Sequence, residues 1–350
     1  DKGGEQVTMR PEATPSMVRA FVQHSLEHSM ATAKLYSLGP MFRYERPQKG
    51  RYRQFHQLDV EAFGVATPSL DAEIVEMAVA FVRALGIRDA ELLINSVGCP
   101  ECRPAFSRAL LEALGDRIPE LCSDCQRRAQ TNPLRIFDCK VPADQSIIDT
   151  LPHSEDYLCM DCREHFEAVT GMLQSYRLDY RLSHRLVRGL DYYTGTVYET
   201  LLDDLPGIGS ICSGGRYDNL AGLYTKQHLP GVGASLGLDR LMAAMEELHL
   251  LAASTTAADV LIVQFAEDAL GQYIALSRRL RNAGLGAELY PEARGMGKQL
   301  KYADRKGYTL AIIGGPDELA RGVWQVKDLG EGSSEEVPDG DLLEYLRKKA

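Results

Sequence analysis

The stretch Phe42-Arg43-Tyr44-Glu45-Arg46 ends one strand-like run and begins a basic, glycine-containing loop, and residues 54–63 return from that loop as a second strand-like run. Side chains on a strand alternate between its two faces, so Arg43 and Glu45 are expected on one face. The returning run presents an aromatic ring, an amide and two carboxyl groups on one face of its own: Phe55, Gln57, Asp59 and Glu61. A planar guanidinium suits a phosphate, so the pattern predicts an antiparallel hairpin whose polar face binds an anion. Ordinary cross-strand ion pairs are the alternative interpretation.

A glycine-rich joint lies further along the chain, at Gly231-Val-Gly-Ala-Ser-Leu-Gly237-Leu-Asp-Arg240. It predicts a strand of small side chains that runs into a helix with an arginine in its first turn. Glycine lets a ligand approach the backbone closely, and the arginine can neutralise a phosphate. The joint lacks the spacing of a Walker loop or of a dinucleotide-binding loop, which argues against those two classes of site. A packing joint without any ligand would show the same pattern.

The bulk composition is that of a globular protein. The 350 residues carry a formal net charge of −10, with 45% hydrophobic and 25% charged residues, and this length suits two or three domains. The charge argues against general electrostatic binding of nucleic acid and against DNA as a partner, so RNA contacts are expected from local basic patches at 43–53 and 294–306. Solvated surface is the alternative for both patches. The sequence contains neither a run of eighteen apolar residues nor a secretory signal, which predicts a cytoplasmic protein without a membrane partner.

Hydrophobic periodicity divides the chain into five segments. We expect a first α+β part at 1–98, a helical insertion at 99–165, a second α+β part at 166–250, a linker at 251–258 and an α/β domain at 259–350. Strands are predicted at 5–14, 38–42, 54–63, 90–96, 185–187, 197–202, 208–213, 260–265, 287–290, 310–313 and 324–329. Helices are predicted at 15–27, 68–85, 236–248, 270–282, 296–306 and 341–348.

The insertion is rich in cysteine. It contains seven of the eight cysteines, mostly as Cys-x-x-Cys pairs, and in a reducing compartment this spacing favours a structural zinc site over disulfides. The preferred ligand set is Cys122, Cys125, Cys159 and Cys162. Cys99, Cys102 and Cys139 are alternative ligands, so the set stays open, and buried free thiols are the other interpretation.

Two longer motifs indicate one particular protein family. Two stretches resemble motifs that are specific to histidyl-tRNA synthetases: Leu186-Val-Arg-Gly-Leu-Asp-Tyr-Tyr-Thr-Gly-Thr-Val-Tyr-Glu199 and Gly214-Gly-Arg-Tyr-Asp218. The hairpin and the glycine-rich joint resemble the second and third signature motifs of class II aminoacyl-tRNA synthetases, and residues 8–14 and 47–57 are similar to the same family. The resemblance implies an α+β fold, in which a class II antiparallel-sheet catalytic domain with a helical insertion is followed by an α/β anticodon-binding domain.

The resemblance also implies roles for individual residues. The ATP-binding residues would be Arg43, Glu45, Arg51, Phe55 and Arg240, with Arg43 on the α-phosphate, Arg51 and Arg240 on the outer phosphates and Phe55 on the adenine. The histidine-binding residues would be Glu12, Thr14, Gln57, Glu61, Arg188, Tyr192, Tyr193 and Tyr217. Among these, Glu61 and Tyr193 would bond the two imidazole nitrogens. Arg188 and Arg43 would be the catalytic residues, with Arg188 on the α-phosphate and the reacting carboxylate.

The reaction that the resemblance implies is that of a histidine–tRNA ligase. Such an enzyme joins L-histidine and ATP to histidyl-adenylate with the help of Mg²⁺ and then transfers histidine to the 3′ end of tRNA(His). The resemblance implies that Gln48, Lys49 and Arg53 reach the tRNA acceptor end. Lys298, Lys301 and Arg305 recur at near-helical spacing and are the expected RNA face of the anticodon-binding domain.

One part of the family pattern is missing. The first class II motif, which builds the family's dimer interface, is expected before Asp1, so we expect the chain to begin partway through a longer protein that forms a homodimer. The main alternative function is a non-catalytic, histidine-sensing regulatory subunit of ATP phosphoribosyltransferase. Such subunits typically lose the anticodon-binding domain and degrade the histidine motifs, and this chain keeps both.

Overall fold

Residues 3–28, 30, 32–251 and 256–349 are described by the computed structural model of the chain. The chain divides into two compact units, Asp1–Leu251 and Ala252–Ala350. Half of the expected linker, residues 252–255, lies outside the described residues. Among the described helices, none combines the length and the apolar character that a membrane crossing requires.

The first unit is built on a largely antiparallel sheet. Its strands are β1 (Ala33–Phe42), β2 (Gln54–Phe63), β3 (Glu91–Ser96), β4 (Arg181–Leu182), β5 (Thr196–Leu201), β6 (Cys212–Arg216) and β7 (Gly231–Gly237). Its helices are α1 (Thr14–Gln23), α2 (Pro68–Ala84), α3 (Cys102–Leu114), α4 (Ser123–Thr131), α5 (Pro142–Ile148), α6 (Met160–Ser175) and α7 (Leu238–Glu247). The strands lie in the order β1-β2-β7-β6-β5-β3-β4, and only β3 and β4 pair in parallel.

Helix α2 covers one face of this sheet because its apolar residues recur at helical spacing. Ile74, Val75, Ala78 and Val82 are buried in a core that includes strand residues of β3, β6 and β7. Burial of such side chains stabilises the fold by roughly 1.5–3 kcal/mol each. The helix begins with Pro68 in its first turn, where the fixed φ of proline suits a helix start.

The insertion between β3 and α6 packs around a core of its own. Phe106 and Leu110 of α3 and Ile148 of α5 lie in this core, together with Ile136 and Phe137 from the short 3₁₀ helix Pro133–Asp138. The predicted helical insertion is thus confirmed in its secondary structure.

The second unit is an α/β fold. Its strands are β8 (Val260–Ile262), β9 (Ala287–Leu289), β10 (Leu310–Ile313), β11 (Val323–Asp328) and β12 (Ser334–Pro338), and its helices are α8 (Leu270–Asn282), α9 (Met296–Lys306), α10 (Pro316–Arg321) and α11 (Leu342–Lys349). The order is β12-β11-β10-β8-β9, with β8 parallel to β9 and β10. Helix α9 ends at Gly307, whose φ of +75° gives the left-handed cap that glycine favours.

Several predicted elements differ from the structure. Residues 5–10 are irregular rather than a strand, and Val7 and Met9 are exposed; alternation without a partner strand is not enough to form one. Residues 185–187 are also not a strand, and the strand predicted at 208–213 is displaced to β6. Helix α10 and strand β12 were not predicted, because the short α10 and the largely exposed β12 carry little hydrophobic periodicity.

A buried ion pair joins α2 to the sheet and to α6. Asp71 is fully buried and accepts hydrogen bonds from the Arg216 guanidinium, with Nε at 3.1 Å, and from His165 Nε2 at 2.9 Å. Desolvation alone would raise the pKa of Asp71, but the bonds from His165 and Arg216 outweigh it and hold that pKa below its ordinary value.

We expect Asp71→Asn to destabilise the first unit by up to about 3–5 kcal/mol, because the buried Arg216 charge would lose one of its two carboxylate partners and keep Asp218, at 2.7 Å. A carboxyl with a lowered pKa contributes stability that is present at neutral pH and is lost as the pH falls through that range. The wild-type protein should therefore lose stability more steeply below pH 5 than the variant does. Urea unfolding at pH 7 and pH 4 measures both effects. Glu73→Gln, on the exposed side of the same helix, is the control, and an equal loss in both variants would contradict the role of Asp71.

Candidate active site

A cleft of about 430 Å³ opens on the face of the first unit's sheet that lies opposite α2. Strand pairing explains which side chains reach it. Asp59 of β2 lies opposite Ser235 of β7, Ser235 lies opposite Ser213 of β6, and Ser213 lies opposite Glu199 of β5. Residues directly opposite on paired strands share a face, so the four form a polar row across the sheet. The row combines two carboxyl groups with two hydroxyl groups.

Ten residues predicted for the substrates line this cleft: Glu12, Arg43, Glu45, Arg51, Phe55, Gln57, Arg188, Tyr192, Tyr193 and Arg240. They come from segments far apart in sequence. Arg43 follows β1, Arg51 lies in the β1–β2 loop, Arg188 precedes β5 and Arg240 lies in the first turn of α7. The structure therefore brings four guanidinium groups to one cleft.

The arginine side chains are only partly satisfied by the protein. Arg188 donates from Nη2 to Ser213 Oγ at 2.8 Å and lies 3.9 Å from Glu199, while its buried Nε has no hydrogen-bond partner among the described residues. Burial, followed by the charge of Arg51, lowers the pKa of Arg240. Like charges gathered in this way favour the binding of an anion between them.

The aromatic face next to this cluster belongs to Phe55. The Arg43 guanidinium carbon lies 5.0 Å from the centre of the Phe55 ring, and Arg43 Nε donates to the Pro11 carbonyl at 2.9 Å. Arg51 is paired with Glu45 across the base of the loop. A flat, aromatic ligand group beside a phosphate matches this combination.

Behind the cleft, the carboxyl of Glu61 is enclosed by hydroxyl groups. Thr14 Oγ1 and the Tyr217 hydroxyl both donate to it. Burial raises the pKa of Glu61 to about 8, although the bonds from Thr14 and Tyr217 lower it. Glu61 lies opposite Gly233, where a Cβ atom would overlap the carboxylate, so this glycine is required for the glutamate to fit. Tyr217, expected only near the imidazole, is thus the tyrosine that bonds Glu61.

Two further tyrosines close the pocket. The Tyr192 hydroxyl donates to Glu12 Oε2 at 2.8 Å, and burial is the main cause that raises the pKa of Glu12. The Tyr192 and Tyr193 rings lie 4.9 Å apart, and Tyr192 meets Tyr217 edge-on at 5.8 Å. Tyr193 lies against Arg188, whose guanidinium carbon is 5.6 Å from its ring centre. The tyrosines thus connect the Glu61 region to the arginine cluster.

The residues predicted to contact RNA lie outside the cleft. In the β1–β2 loop, Lys49 pairs with Glu247 at 2.5 Å and Arg53 lies over the Tyr44 ring at 4.5 Å. Gln48 Nε2 is 3.5 Å from the Gly207 carbonyl. In the second unit, the exposed side chains of α9 include all three predicted basic residues: Lys298, Lys301 and Arg305.

The preferred cysteine set is wrong in its grouping. Cys122 and Cys125 lie with Cys139 and Asp144, whereas Cys159 and Cys162 lie with Cys99 and Cys102. The two Cys-x-x-Cys pairs of the predicted set therefore belong to different clusters. Helix α6 begins beside the end of β3 and not beside α4, and the sequence does not indicate that path.

Some residues of the site were not predicted. Ser213, Ser235 and Glu199 belong to the polar row, but their alignment depends on strand registers that local sequence does not contain. Arg103 donates from Nη1 to the Asp191 carbonyl at 3.1 Å and also bonds the Tyr193 carbonyl. Its position next to Cys102 was the only signal in the sequence, and it pointed to metal binding instead.

Comparison with known proteins agrees with this geometry. A family model described as histidyl-tRNA synthetase matches residues 1–241, and one described as an anticodon binding domain matches residues 259–349. The chain is 45% identical over 348 residues to a histidine–tRNA ligase of Moorella thermoacetica, covering 99% of this chain and 82% of the relative.

Solved structures give the same result. The apo histidyl-tRNA synthetase of S. aureus matches with a TM-score of 0.77 and 34% identity, covering 99% of this chain and 85% of that one. An ATP phosphoribosyltransferase regulatory subunit/histidyl-tRNA synthetase from Bacillus halodurans matches with a TM-score of 0.59 and 20% identity, covering 90% and 82%, which shows a shared fold only. With the arginine-lined cleft, the enclosed glutamate and an anticodon-binding unit in one chain, this protein belongs to the histidyl-tRNA synthetase family.

Proposed function

We propose that the chain is a histidine–tRNA ligase whose two substrates meet in the cleft of the first unit. The observation that carries this proposal is the enclosed Glu61 carboxyl, held by Thr14 and Tyr217 beside a cleft with four arginines. A carboxyl next to hydroxyl groups can bond a ring that has both a donor and an acceptor nitrogen, as imidazole has. The arginines supply the charge that ATP phosphates require.

In the proposed reaction, the histidine carboxylate attacks the α-phosphorus of ATP, a new O–P bond forms and pyrophosphate leaves. The protein's contribution is positioning and charge neutralisation, because two anions must be brought together. Arg43 and Arg188 are placed for the α-phosphate and the carboxylate, and Arg51 and Arg240 for the outer phosphates. Phe55 offers its ring to adenine. In the second step a hydroxyl at the tRNA 3′ end attacks the histidyl carbonyl, and AMP leaves.

A magnesium ion fits the same cleft. Glu199 and Asp239 both line it, and carboxylates are the protein ligands that Mg²⁺ prefers alongside phosphate oxygens. Bound with ATP, the ion would neutralise charge on the phosphates. These two carboxylates would help to orient it, although Glu199 also lies 3.9 Å from Arg188. Glu45 is held more closely, by its ion pair with Arg51.

The remaining partners follow from the second unit and from the family. We propose tRNA(His) as the RNA substrate, with Lys298, Lys301 and Arg305 of α9 facing the anticodon and the β1–β2 loop facing the acceptor end. We further propose that the full-length protein is a cytoplasmic homodimer. Zinc in the insertion also stays a proposal, with the two cysteine clusters as its candidate sites.

Histidine-dependent exchange of pyrophosphate into ATP tests the proposed function on the full-length gene product. We expect exchange with L-histidine and none with glutamine, and then transfer of histidine to a tRNA(His) transcript. A protein that binds histidine without exchange would instead favour the regulatory-subunit alternative. The chain has both the arginine cluster and the anticodon-binding unit, and these features favour the ligase over the regulatory subunit.

A further inference from the structure

We propose that Cys99, Cys102, Cys159 and Cys162 bind one zinc ion at the base of the insertion, and that this site supports the histidine pocket. The four ligand atoms lie within 4.8 Å of one another. The Sγ atoms of Cys99 and Cys102 are 3.5 Å apart, and those of Cys99 and Cys159 are 4.0 Å apart. Tetrahedral zinc with Zn–S bonds of about 2.3 Å places its sulfurs roughly 3.8 Å apart. The spacing thus fits a metal far better than a disulfide, whose sulfurs lie about 2 Å apart.

The backbone around the cluster is shaped for close approach of the sulfurs. The amide of Cys102 donates to the Cys99 carbonyl at 3.1 Å, which closes the first Cys-x-x-Cys turn. The amide of Cys159 donates to Cys102 Sγ at 3.2 Å, a contact that favours a thiolate. Gly98 has a φ of +67°, and a Cβ atom there would lie 2.6 Å from the Cys102 Cβ. Only glycine fits at this position.

The cluster ties together the two ends of the insertion. Cys99 follows β3, while Cys159 lies 60 residues further on and caps the start of α6. A metal that joins such distant points stabilises the folded chain, because it removes loop-closure entropy from the unfolded chain. On binding, each thiol releases its proton and ligates as a thiolate.

The link to the pocket runs through Arg103, the residue after Cys102. Arg103 donates to the backbone carbonyls of Asp191 and Tyr193. The adjacent Gly195 amide donates to the Gly98 carbonyl at 3.0 Å. Three hydrogen bonds, two from Arg103 and one to Gly98, therefore hold the segment that carries the pocket tyrosines. Arg103 is a positioning residue, and this part of the inference rests on the proposed function.

The second cluster is an independent metal site by the same reasoning. Cys122 and Cys139 have Sγ atoms 3.8 Å apart, and Cys139 Sγ lies 3.1 Å from the buried Asp144 carboxylate. With Cys125 these residues offer three sulfurs and one oxygen within 4.8 Å. We infer a second zinc ion here. Its ligands lie in the insertion's own core and, in the described residues, none of them bonds the pocket segment.

Metal analysis of the full-length protein, purified under reducing conditions without added metal, tests both sites. We expect two zinc ions per chain. Cys159→Ser with Cys162→Ser should remove one ion, and Cys122→Ser with Cys125→Ser should remove the other. An unchanged zinc content in either double variant overturns that site. Should a variant fail to fold, titration of the wild-type protein with a thiol reagent decides, because two sites release two zinc ions and free thiols release none.

Steady-state kinetics of pyrophosphate exchange test, in a separate experiment, whether the first cluster supports the histidine pocket. Loss of the first cluster, or Arg103→Met, should raise the KM for histidine at least about fivefold, because Arg103 makes two hydrogen bonds to the pocket segment and the loss of one alone corresponds to about fivefold. The KM for ATP should stay within about twofold. The second-cluster variant is the matched control and should change neither. Equal changes in both variants would refute the link while leaving the metal counts valid. Absence of exchange in the wild type would instead refute the proposed function.

Discussion

Arg188→Gln is expected to lower kcat/KM for histidine-dependent pyrophosphate exchange by about two to three orders of magnitude. Arg188 lies between the tyrosine pocket and the arginine cluster, where the carboxylate and the α-phosphate would meet. It bonds Ser213, and its buried Nε has no partner in the described part of the chain. Without its charge, the two anions would repel each other at the moment of reaction. Initial rates of exchange at varied histidine and ATP measure the effect.

Arg185→Gln is the matched control for this variant. Arg185 lies three residues earlier, outside the cleft, and pairs with Asp149 at 3.1 Å on the partly exposed surface. We expect its exchange kinetics to remain within about twofold of the wild type, since exposed ion pairs contribute little. Thermal unfolding should show that Arg188→Gln stays folded at the assay temperature and loses no more than about 1–3 kcal/mol, the effect of removing its bond to Ser213 and its pairing with Glu199. A loss of activity that only follows a loss of fold would contradict the catalytic role.

Glu61→Gln is expected to weaken histidine binding by about tenfold, the loss of a hydrogen bond between the imidazole and the Glu61 carboxyl. The KM for ATP should change little, since Glu61 lies behind the cleft and not beside the arginines. Both Thr14 and Tyr217 have hydroxyl groups that can rotate to accept from an amide, so the variant keeps its local bonds. Equilibrium binding of labelled histidine measures the change.

The Glu61→Gln variant is also expected to change how the stability of the ligand-free protein depends on pH. Burial raises the pKa of Glu61 from 4.5 to about 8. Between these values the folded protein holds a proton that the unfolded chain has lost, so Glu61 makes stability fall as the pH rises from about 4.5 to 8. The upper bound of this cost is roughly 5 kcal/mol. Glu61→Gln should therefore be more stable than the wild type at pH 8, with a smaller difference at pH 5.

Glu91→Gln provides the contrast for this experiment. The hydrogen bond from Arg181 lowers the pKa of Glu91, so its replacement should not stabilise the protein at pH 8. Thermal unfolding of both variants at pH 5 and pH 8 gives the comparison. A Glu61→Gln variant that is less stable than the wild type at pH 8 would contradict the raised pKa of Glu61. The hydrogen bonds to the carboxylate would then have to outweigh the cost of its burial.

Much of the fold could be predicted from local sequence patterns. Helix α2 was predictable because its apolar residues recur at helical spacing, and the β1–β2 hairpin because its charged loop separates two alternating runs. The strand predicted at 5–14 shows the limit, since Val7 and Met9 alternate but find no partner. The displaced β6 has the same cause: glycine and serine are compatible with several registers, and pairing with β5 and β7 selects one.

The site was predictable where a motif is contiguous and less so where it is assembled by folding. Arg43 and Arg240 were found because each lies in a recognisable pattern. The bond from Tyr217, just after β6, to Glu61 of β2 depends on both strands pairing with β7, which brings together residues 156 positions apart. The cysteines show this most clearly, because three Cys-x-x-Cys pairs of equal appearance sort into two clusters only through the path of the helices.

The enclosure of Glu61 has a consequence for accuracy of translation. A competing amino acid that filled the pocket without ring nitrogens would leave Glu61 and the hydroxyl of Tyr217 buried without a ligand partner. Both groups would keep their bond to each other, so the difference lies in the hydrogen bonds that histidine adds, each worth roughly 0.5–1.5 kcal/mol, and a site of this kind discriminates against analogues that cannot bond it. Rejection would then occur when the amino acid binds, before any adenylate forms. Under the proposed function, Gly233, which leaves room for the Glu61 carboxyl, would thereby contribute to the accuracy of histidine attachment.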